Sequence, residues 1–313
     1  MAGSTLPRRL LAKTLVRLRE SAKMSQTQAA REAGVGRQTL WSWETGQGAK
    51  PPAKLSLLGL CKLYKAPPEM VQVVLALAND AGDAGWWQKF GEAFSEDFDM
   101  YLGLEDSACV VMTYQVVLPP GLLQTPAYRT AMLRVAKPGI SDEDMVRAIE
   151  LATKRQKRLE DDPGGFRLRV LLSEAVLHQQ VGGVEVMAEQ LTHLANISRL
   201  ENVSIRVVPQ EAGEHLGLLI GPFVLLEFPA QKLEWMNEPP MVYVERPTGD
   251  LYLGGEGEIT KYREAYEAIE AVALSEDESY RRILQIAKEL VRDRPERSPV
   301  VQVDEEPDQG RLR

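Results

Sequence analysis

The sequence has 313 residues, of which 44% are hydrophobic and 26% charged, with a formal net charge of −8 and only two cysteines. This length allows two domains, the second with a sizeable core, and two cysteines exclude a disulfide framework. Because the sequence shows no apolar run long enough to span a membrane and no secretory leader, we expect a cytoplasmic protein without a membrane partner.

The charge is divided unevenly along the chain. Residues 1–65 contain 12 Lys or Arg and three acids, a net charge of +9, so residues 66–313 carry −17. A basic segment joined to an acidic one is typical of a DNA-binding domain fused to a second module. Surface Lys and Arg also solubilise helices, so the charge alone leaves both interpretations open.

The first predicted elements are a helix over residues 9–22 and a pair of short helices over residues 26–45. Ser25 suits the N-cap of the first short helix, and Gly34 suits the left-handed residue at its end. Val35, Leu40 and Trp43 form the apolar side of the second short helix. This pattern predicts a helix-turn-helix.

The outer face of the second short helix carries the predicted DNA-reading residues. They are Arg37, Gln38, Trp41 and Ser42. Arg and Gln present forked donors and acceptors that match the edges of guanine and adenine. Trp41 has two interpretations: an extension of the core beside Trp43, or a contact with a thymine methyl or the sugar backbone. The sequence favours neither.

Residues 43–46, Trp-Glu-Thr-Gly, with the following Lys50 and Pro51, resemble the Xre/lambda-repressor-like helix-turn-helix family over residues 8–78. The resemblance implies that the second helix enters the major groove of double-stranded DNA. It also implies backbone contacts, which we assign to Gln26, Gln28, Thr39 and Lys50. The family often has Ser or Thr where Gly36 stands, so a hydroxyl that could touch phosphate is missing.

The predicted organisation has four parts. Residues 1–78 form an all-α bundle of five helices, completed by helices after Pro52 and after Pro68. Residues 79–85 form a polar linker, residues 86–292 an acidic domain, and residues 293–313 a disordered tail. The acidic domain alternates helices and strands, which predicts an α/β or α+β fold with a mixed sheet packed by helices.

Several elements of the acidic domain have clear sequence signals. Thr125 suits the cap of a helix opened by Pro126, and Ser141 with Asp144 suits the start of a long helix to about residue 159. Strands are expected over 108–117, 166–172, 203–208, 218–228, 241–245 and 250–253. Helices are expected over 98–107, 184–200, 256–274 and 276–292.

Four segments of the acidic domain resemble the actinobacterial WhiJ-like regulators. They are residues 120–125 (Pro-Gly-Leu-Leu-Gln-Thr), the Arg155–Gln156 pair, residues 203–209 and residues 273–275. The resemblance implies a transcriptional regulator with an antitoxin-like C-terminal domain, often encoded beside a small partner protein. One helix-turn-helix reads few base pairs, so we also expect a homodimer on two half-sites, joined through the acidic domain.

The sequence offers no catalytic constellation, so we expect neither an enzyme nor a cofactor or metal site. His178, His193 and His215 have no metal-ligand spacing, and the nucleotide-binding and hydrolase motifs are missing. His193 fits a structural role better than a catalytic one. His215 lies in a loop that fits a solvated turn better than the wall of a ligand pocket.

Three functional hypotheses follow from these patterns. The first is a sequence-specific transcriptional regulator controlled through its acidic domain by a small partner protein or a ligand. The second is an antitoxin-like scaffold that neutralises a partner and regulates only its own operon. The third, which the sequence supports least, is an enzyme tethered to DNA.

Overall fold

A computed structural model of the chain describes residues 6–46, 51–82, 87, 90, 96–231, 233–246 and 248–292. The predicted fold class is confirmed, because an N-terminal helical bundle precedes a domain with a six-stranded mixed sheet and helices. The predicted contact residue Lys50 and the predicted tail, residues 293–313, lie outside the described residues.

The N-terminal bundle, which we call the head, has five helices: α1 (Leu6–Ser21), α2 (Gln26–Glu32), α3 (Arg37–Thr45), α4 (Lys54–Leu63) and α5 (Pro68–Gly82). One apolar core joins them, with Leu15, Leu40 and Leu57 fully buried. The prediction for α5 was too short. The helix continues through residues 79–82, so the first half of the expected linker is helical, and residues 83–85 are not among the described residues.

The second domain, which we call the body, contains the helices α6 (Glu96–Ser107), α7 (Pro126–Ala136), α8 (Asp142–Gln156), α9 (Arg158–Asp161), α10 (Ala175–His178), α11 (Val184–Ile197), α12 (Gly217–Ile220), α13 (Glu256–Val272) and α14 (Glu276–Arg292). Its strands are β1 (Val110–Gln115), β2 (Arg167–Ser173), β3 (Val203–Val208), β4 (Phe223–Glu227), β5 (Met241–Val244) and β6 (Leu251–Leu253).

The strand order in the sheet is β3-β2-β1-β4-β5-β6. The first three strands are parallel, with Val110 opposite Arg167 and Leu168 opposite Val203. The other three pairings are antiparallel. Helical crossovers between the parallel strands cover one face of the sheet, and α13 covers the other, so the strands β1 to β3 are largely buried.

Two apolar cores lie on opposite faces of this sheet. One face packs against residues of α6, α7, α11 and α14. The other packs mainly against α13, whose Ile259, Tyr266 and Ile269 are buried. The body therefore has three layers, helix–sheet–helix.

Local capping signals were accurate, whereas one strand boundary was wrong. The hydroxyls of Thr125 and Ser141 accept hydrogen bonds from Tyr128 N–H (3.2 Å) and Asp144 N–H (3.1 Å). The strand expected over 218–228 begins only at residue 223. Gly221, with φ of +72°, separates that strand from the helical turn α12.

Candidate nucleic-acid interface

The helix pair α2–α3 has the expected geometry. The Ser25 hydroxyl accepts a hydrogen bond from Gln28 N–H at 3.2 Å and caps α2. Gly34 has φ of +68°, and Val35 N–H then bonds to Ala30 O at 3.0 Å. A side chain at residue 34 would strain the backbone, so glycine lets the chain reverse between the two helices.

One side of α3 is fixed in the head core. Leu40 is fully buried, and Glu44 is only 8% exposed. The Glu44 carboxylate accepts hydrogen bonds from Arg19 Nε (2.7 Å) on α1 and from Gln26 Nε2 (3.0 Å) on α2. Glu44 thus joins three helices around the recognition helix, a positioning role that the sequence analysis missed. An acid on the inward side of an otherwise apolar helix face was the available signal.

The first turn of α3 is open to solvent. Arg37, Gln38 and Thr39 are exposed, and the side chains of Arg37 and Gln38 have no polar partner among the described residues. Two forked side chains with free donors on a rigid helix can form bidentate contacts with base edges. Their contact with bases stays a prediction.

Trp41 and Ser42 complete the predicted reading face. Trp41 is 38% exposed and lies outside the apolar core of the head, whereas Trp43 packs against that core. This placement favours the outward-facing interpretation of Trp41. The Ser42 hydroxyl donates to Thr39 O at 2.8 Å, so only its acceptor lone pairs are available to a base.

The predicted backbone contacts differ in availability. Thr39 is exposed, but the side chains of Gln26 and Gln28 each donate to a carboxylate, Gln26 to Glu44 and Gln28 to Glu32 (both 3.0 Å). A contact with phosphate therefore needs the remaining amide atoms of these two side chains. The contacts of both with DNA remain predictions.

The head is docked on the body through α1, a contact that the sequence did not predict. Glu238, in the segment before β5, has a side chain only 1% exposed. It forms ion pairs with Arg9 and with Lys13, whose Nζ lies 2.6 Å from Glu238 Oε2. Arg17 stacks over the ring of Trp235 at 4.4 Å.

An apolar cluster adjoins these ion pairs. Leu6 and Leu10 of α1 pack with Met236 and are each less than 9% exposed. The basic face of α1 is thereby directed at the body. The outer face of α3 is left as a separate surface on the head.

Within the body, two of the four segments that resemble WhiJ-like regulators meet at one buried polar cluster. Arg155 Nε and Nη2 donate to the two carboxylate oxygens of Glu105, each at 2.7 Å. Gln156 Nε2 donates to Gln124 O at 2.6 Å, which ties the Arg-Gln pair to residues 120–125. Gly121 lies against this cluster, since a Cβ there would be 3.4 Å from Arg155 Nη1.

The charges in this cluster affect one another. Burial lowers the pKa of Arg155, but the Glu105 carboxylate outweighs burial and holds that pKa above its ordinary value. Burial, and next the Arg155 guanidinium, lower the pKa of Arg129 to about 10. The geometry is that of a satisfied buried ion pair, which orders α6 against α8.

The three histidines lie on separate elements. Burial lowers the pKa of His193, consistent with a structural side chain. His215 Nδ1 accepts a hydrogen bond from Gly217 N–H at 3.2 Å, and its ring packs edge-on to Tyr114. In the part of the chain that is described, no three His, Cys, Asp or Glu side chains are grouped to hold a metal ion.

A polar groove of about 980 Å³ lies over the starts of β2 and β3. Arg169 and Arg206 line it, with Glu270 Oε1 at 2.8 Å and 3.6 Å from their nitrogens. The groove is mixed in charge and could accept a polar ligand.

No helix of the described residues has the length and apolarity needed to cross a membrane.

Comparison with known families gives two matches. A family model described as a helix-turn-helix domain matches residues 10–74. A second, described as a domain of unknown function (DUF5753), matches residues 98–285, more than half of the chain. No curated protein and no solved structure matches the chain.

Proposed function

The chain belongs to the DUF5753 family, here behind a helix-turn-helix domain, and we propose that it is a sequence-specific transcriptional regulator controlled through its body. The helix-turn-helix match supports a DNA-binding regulator. We propose three further properties: the head reads a specific DNA sequence, a partner controls the protein, and the protein forms a dimer.

The observation that carries the proposal is the outer face of α3. Arg37 and Gln38 are exposed and without polar partners in the described part of the chain, while the buried Leu40 and Glu44 fix the same helix in the head. A recognition helix must combine these two properties, because base readout needs free donors held in a fixed orientation.

Binding to the DNA upstream of its own gene, measured by fluorescence anisotropy across a salt series, tests this proposal. Losing Arg37 or Gln38 to alanine should cost roughly 1–3 kcal/mol, about 5- to 150-fold, on the specific site and little on random DNA. Lys62→Ala is the matched control, because Lys62 is exposed on α4 of the same head. If Lys62→Ala loses as much specific affinity as Arg37→Ala, α3 is not the reading helix.

We further propose that the protein is a cytoplasmic homodimer related to the WhiJ-like regulators. The contacts between residues 120–125 and the Arg155–Gln156 pair support that relation, because two of the four segments that carry the resemblance contact each other. A dimer would place two heads about one helical turn of DNA apart, so an insertion of about 5 base pairs between half-sites should abolish tight binding.

The contact between α1 and Glu238 supports control through the body. A small partner protein or ligand that binds the docked and undocked arrangements unequally would shift DNA affinity by that difference. We assign the protein no catalytic activity, cofactor or metal.

The charge of the chain beyond residue 65, −17, also fits the antitoxin-like alternative, in which binding a basic partner is the main role. The full-length chain carrying both Arg37→Ala and Gln38→Ala separates the two. If neutralisation is the main function, this variant should still neutralise a co-expressed partner. If DNA reading is the main function, the variant should lose its effect in the cell.

A further inference from the structure

A loop between β3 and β4 exposes three leucines. Leu216, Leu218 and Leu219 are 41%, 67% and 86% exposed. They lie in or beside the helical turn α12, and we call residues 213–221 the leucine loop. Gly213 and Gly221, with φ of +68° and +72°, mark its two ends.

The inner side of the leucine loop is fixed. Gly217 is buried, and a Cβ there would come within 2.8 Å of Tyr114 Cε1 and of the His215 ring. Gly217 N–H donates to His215 Nδ1, and Ile220 packs against the core that includes Phe223. The exposed leucines therefore belong to an ordered surface.

A further exposed apolar residue follows β1. Val117 is 56% exposed and follows Tyr114 by three residues. Tyr114 pairs with Phe223 in the antiparallel β1–β4 ladder, so Val117 and the end of the leucine loop lie at the same edge of the sheet. Exposed apolar side chains grouped on an ordered surface, as the three leucines are, mark interaction sites.

The charges around the loop identify the kind of partner. Glu214 is exposed on the N-terminal side of the leucines, and so is Glu211, although its Oε1 lies 3.7 Å from Arg282 Nη2. A second copy of this loop, or an anionic lipid surface, would bring like charges together. A segment with an apolar face bordered by Lys or Arg would satisfy both features.

We propose that the leucine loop is the docking surface for a basic amphipathic helix of a partner protein. This inference rests on the proposed function, because it names the surface through which a partner would exert control. The leucines would bury against the apolar face of the helix, and Glu214 would pair with a cation at its border.

The test uses the full-length protein and a fluorescein-labelled model helix of 18 residues composed of Leu and Lys. A second helix, with Glu in place of Lys, is the charge control. In anisotropy titrations we expect the Lys helix to bind at least tenfold more tightly than the Glu helix. Leu218→Ser with Leu219→Ser should weaken binding at least tenfold, and Glu214→Gln should weaken it several-fold. Val135→Ser is the matched control, because Val135 is 74% exposed on α7.

Two results would overturn the inference. The first is equal binding of the Lys helix to wild type and to the double serine variant. The second is loss of a dimer, by sedimentation equilibrium, in the double serine variant alone, which would assign the loop to a second copy. DNA binding measured on the same samples separates this inference from the proposed function, since the leucine variants should read DNA normally.

Discussion

Replacing Glu105 by alanine should strongly destabilise the body. The substitution removes the two hydrogen bonds from Arg155 at 2.7 Å and one from the Tyr101 hydroxyl at 2.9 Å. The Arg155 and Glu105 side chains are only 5% and 6% exposed, so the guanidinium would stay buried without its counter-ion. Breaking a buried pair on one side costs about 3–5 kcal/mol.

An exposed ion pair on the same helix supplies the control. Arg147 contacts Glu143 Oε1 at 2.5 Å and is 45% exposed. Solvent screens such a pair, so Arg147→Ala should cost about 0–1 kcal/mol. The comparison isolates burial, because both arginines lie on α8 and both face a carboxylate.

Urea unfolding followed by circular dichroism measures the difference. With an m-value of about 3 kcal/mol/M, the cost of Glu105→Ala corresponds to a midpoint lower by about 1–2 M. Replacing both partners by apolar residues of similar size, Glu105→Leu with Arg155→Met, should recover most of that loss. Equal midpoints for Glu105→Ala and Arg147→Ala would refute the reasoning that burial makes this pair essential.

Three further predictions concern other sites. Glu238→Ala leaves the two α1 cations Arg9 and Lys13 without their carboxylate. Because these side chains are 21% and 38% exposed and can rehydrate, we expect the free energy of unfolding, measured by thermal unfolding, to fall by about 1–2 kcal/mol. An unchanged melting temperature would contradict the docking contact. Burial, and next Asp250, raise the pKa of Glu245 above its ordinary 4.5, so its charged form opposes folding above that raised pKa. Glu245→Gln should therefore raise the melting temperature at pH 7 and lose that advantage below pH 4.5, whereas an equal gain at both pH values would be inconsistent with the shift. Gly217→Ala places a methyl 2.8 Å from Tyr114 and should lower the free energy of unfolding in urea by about 1–3 kcal/mol. An unchanged free energy of unfolding would contradict this steric clash.

Elements with local signals could be predicted from the sequence. The caps at Ser25, Thr125 and Ser141 located the starts of α2, α7 and α8, and α14 was predicted with its observed bounds. These signals act within one helical turn, so a single sequence contains them. Gly221 is an exception: the apolar pattern predicted that β4 begins at residue 218, but the positive φ of Gly221 keeps the preceding residues out of the strand.

Contacts between distant segments could not be predicted in the same way. Lys13 and Glu238 are separated by 225 residues, and each alone resembles an ordinary surface charge in the sequence. Burial of Glu238 depends on how α1 meets the body, which only the assembled fold determines. Part of the reading face of α3 was predictable, because helical spacing places Gln38 away from Leu40. Arg37, three residues before Leu40, is exposed as the first residue of the helix.

In the proposed function, α3 reads DNA sequence through Arg37 and Gln38. The most direct measurement is the ratio of specific to random DNA affinity at one salt concentration, for wild type and for the Arg37→Ala, Gln38→Ala double variant. We expect the double variant to keep its random-DNA affinity within a few-fold. Its ratio of specific to random affinity should fall at least about 30-fold, from two contacts of roughly 1 kcal/mol or more each. An unchanged ratio would contradict the proposed function.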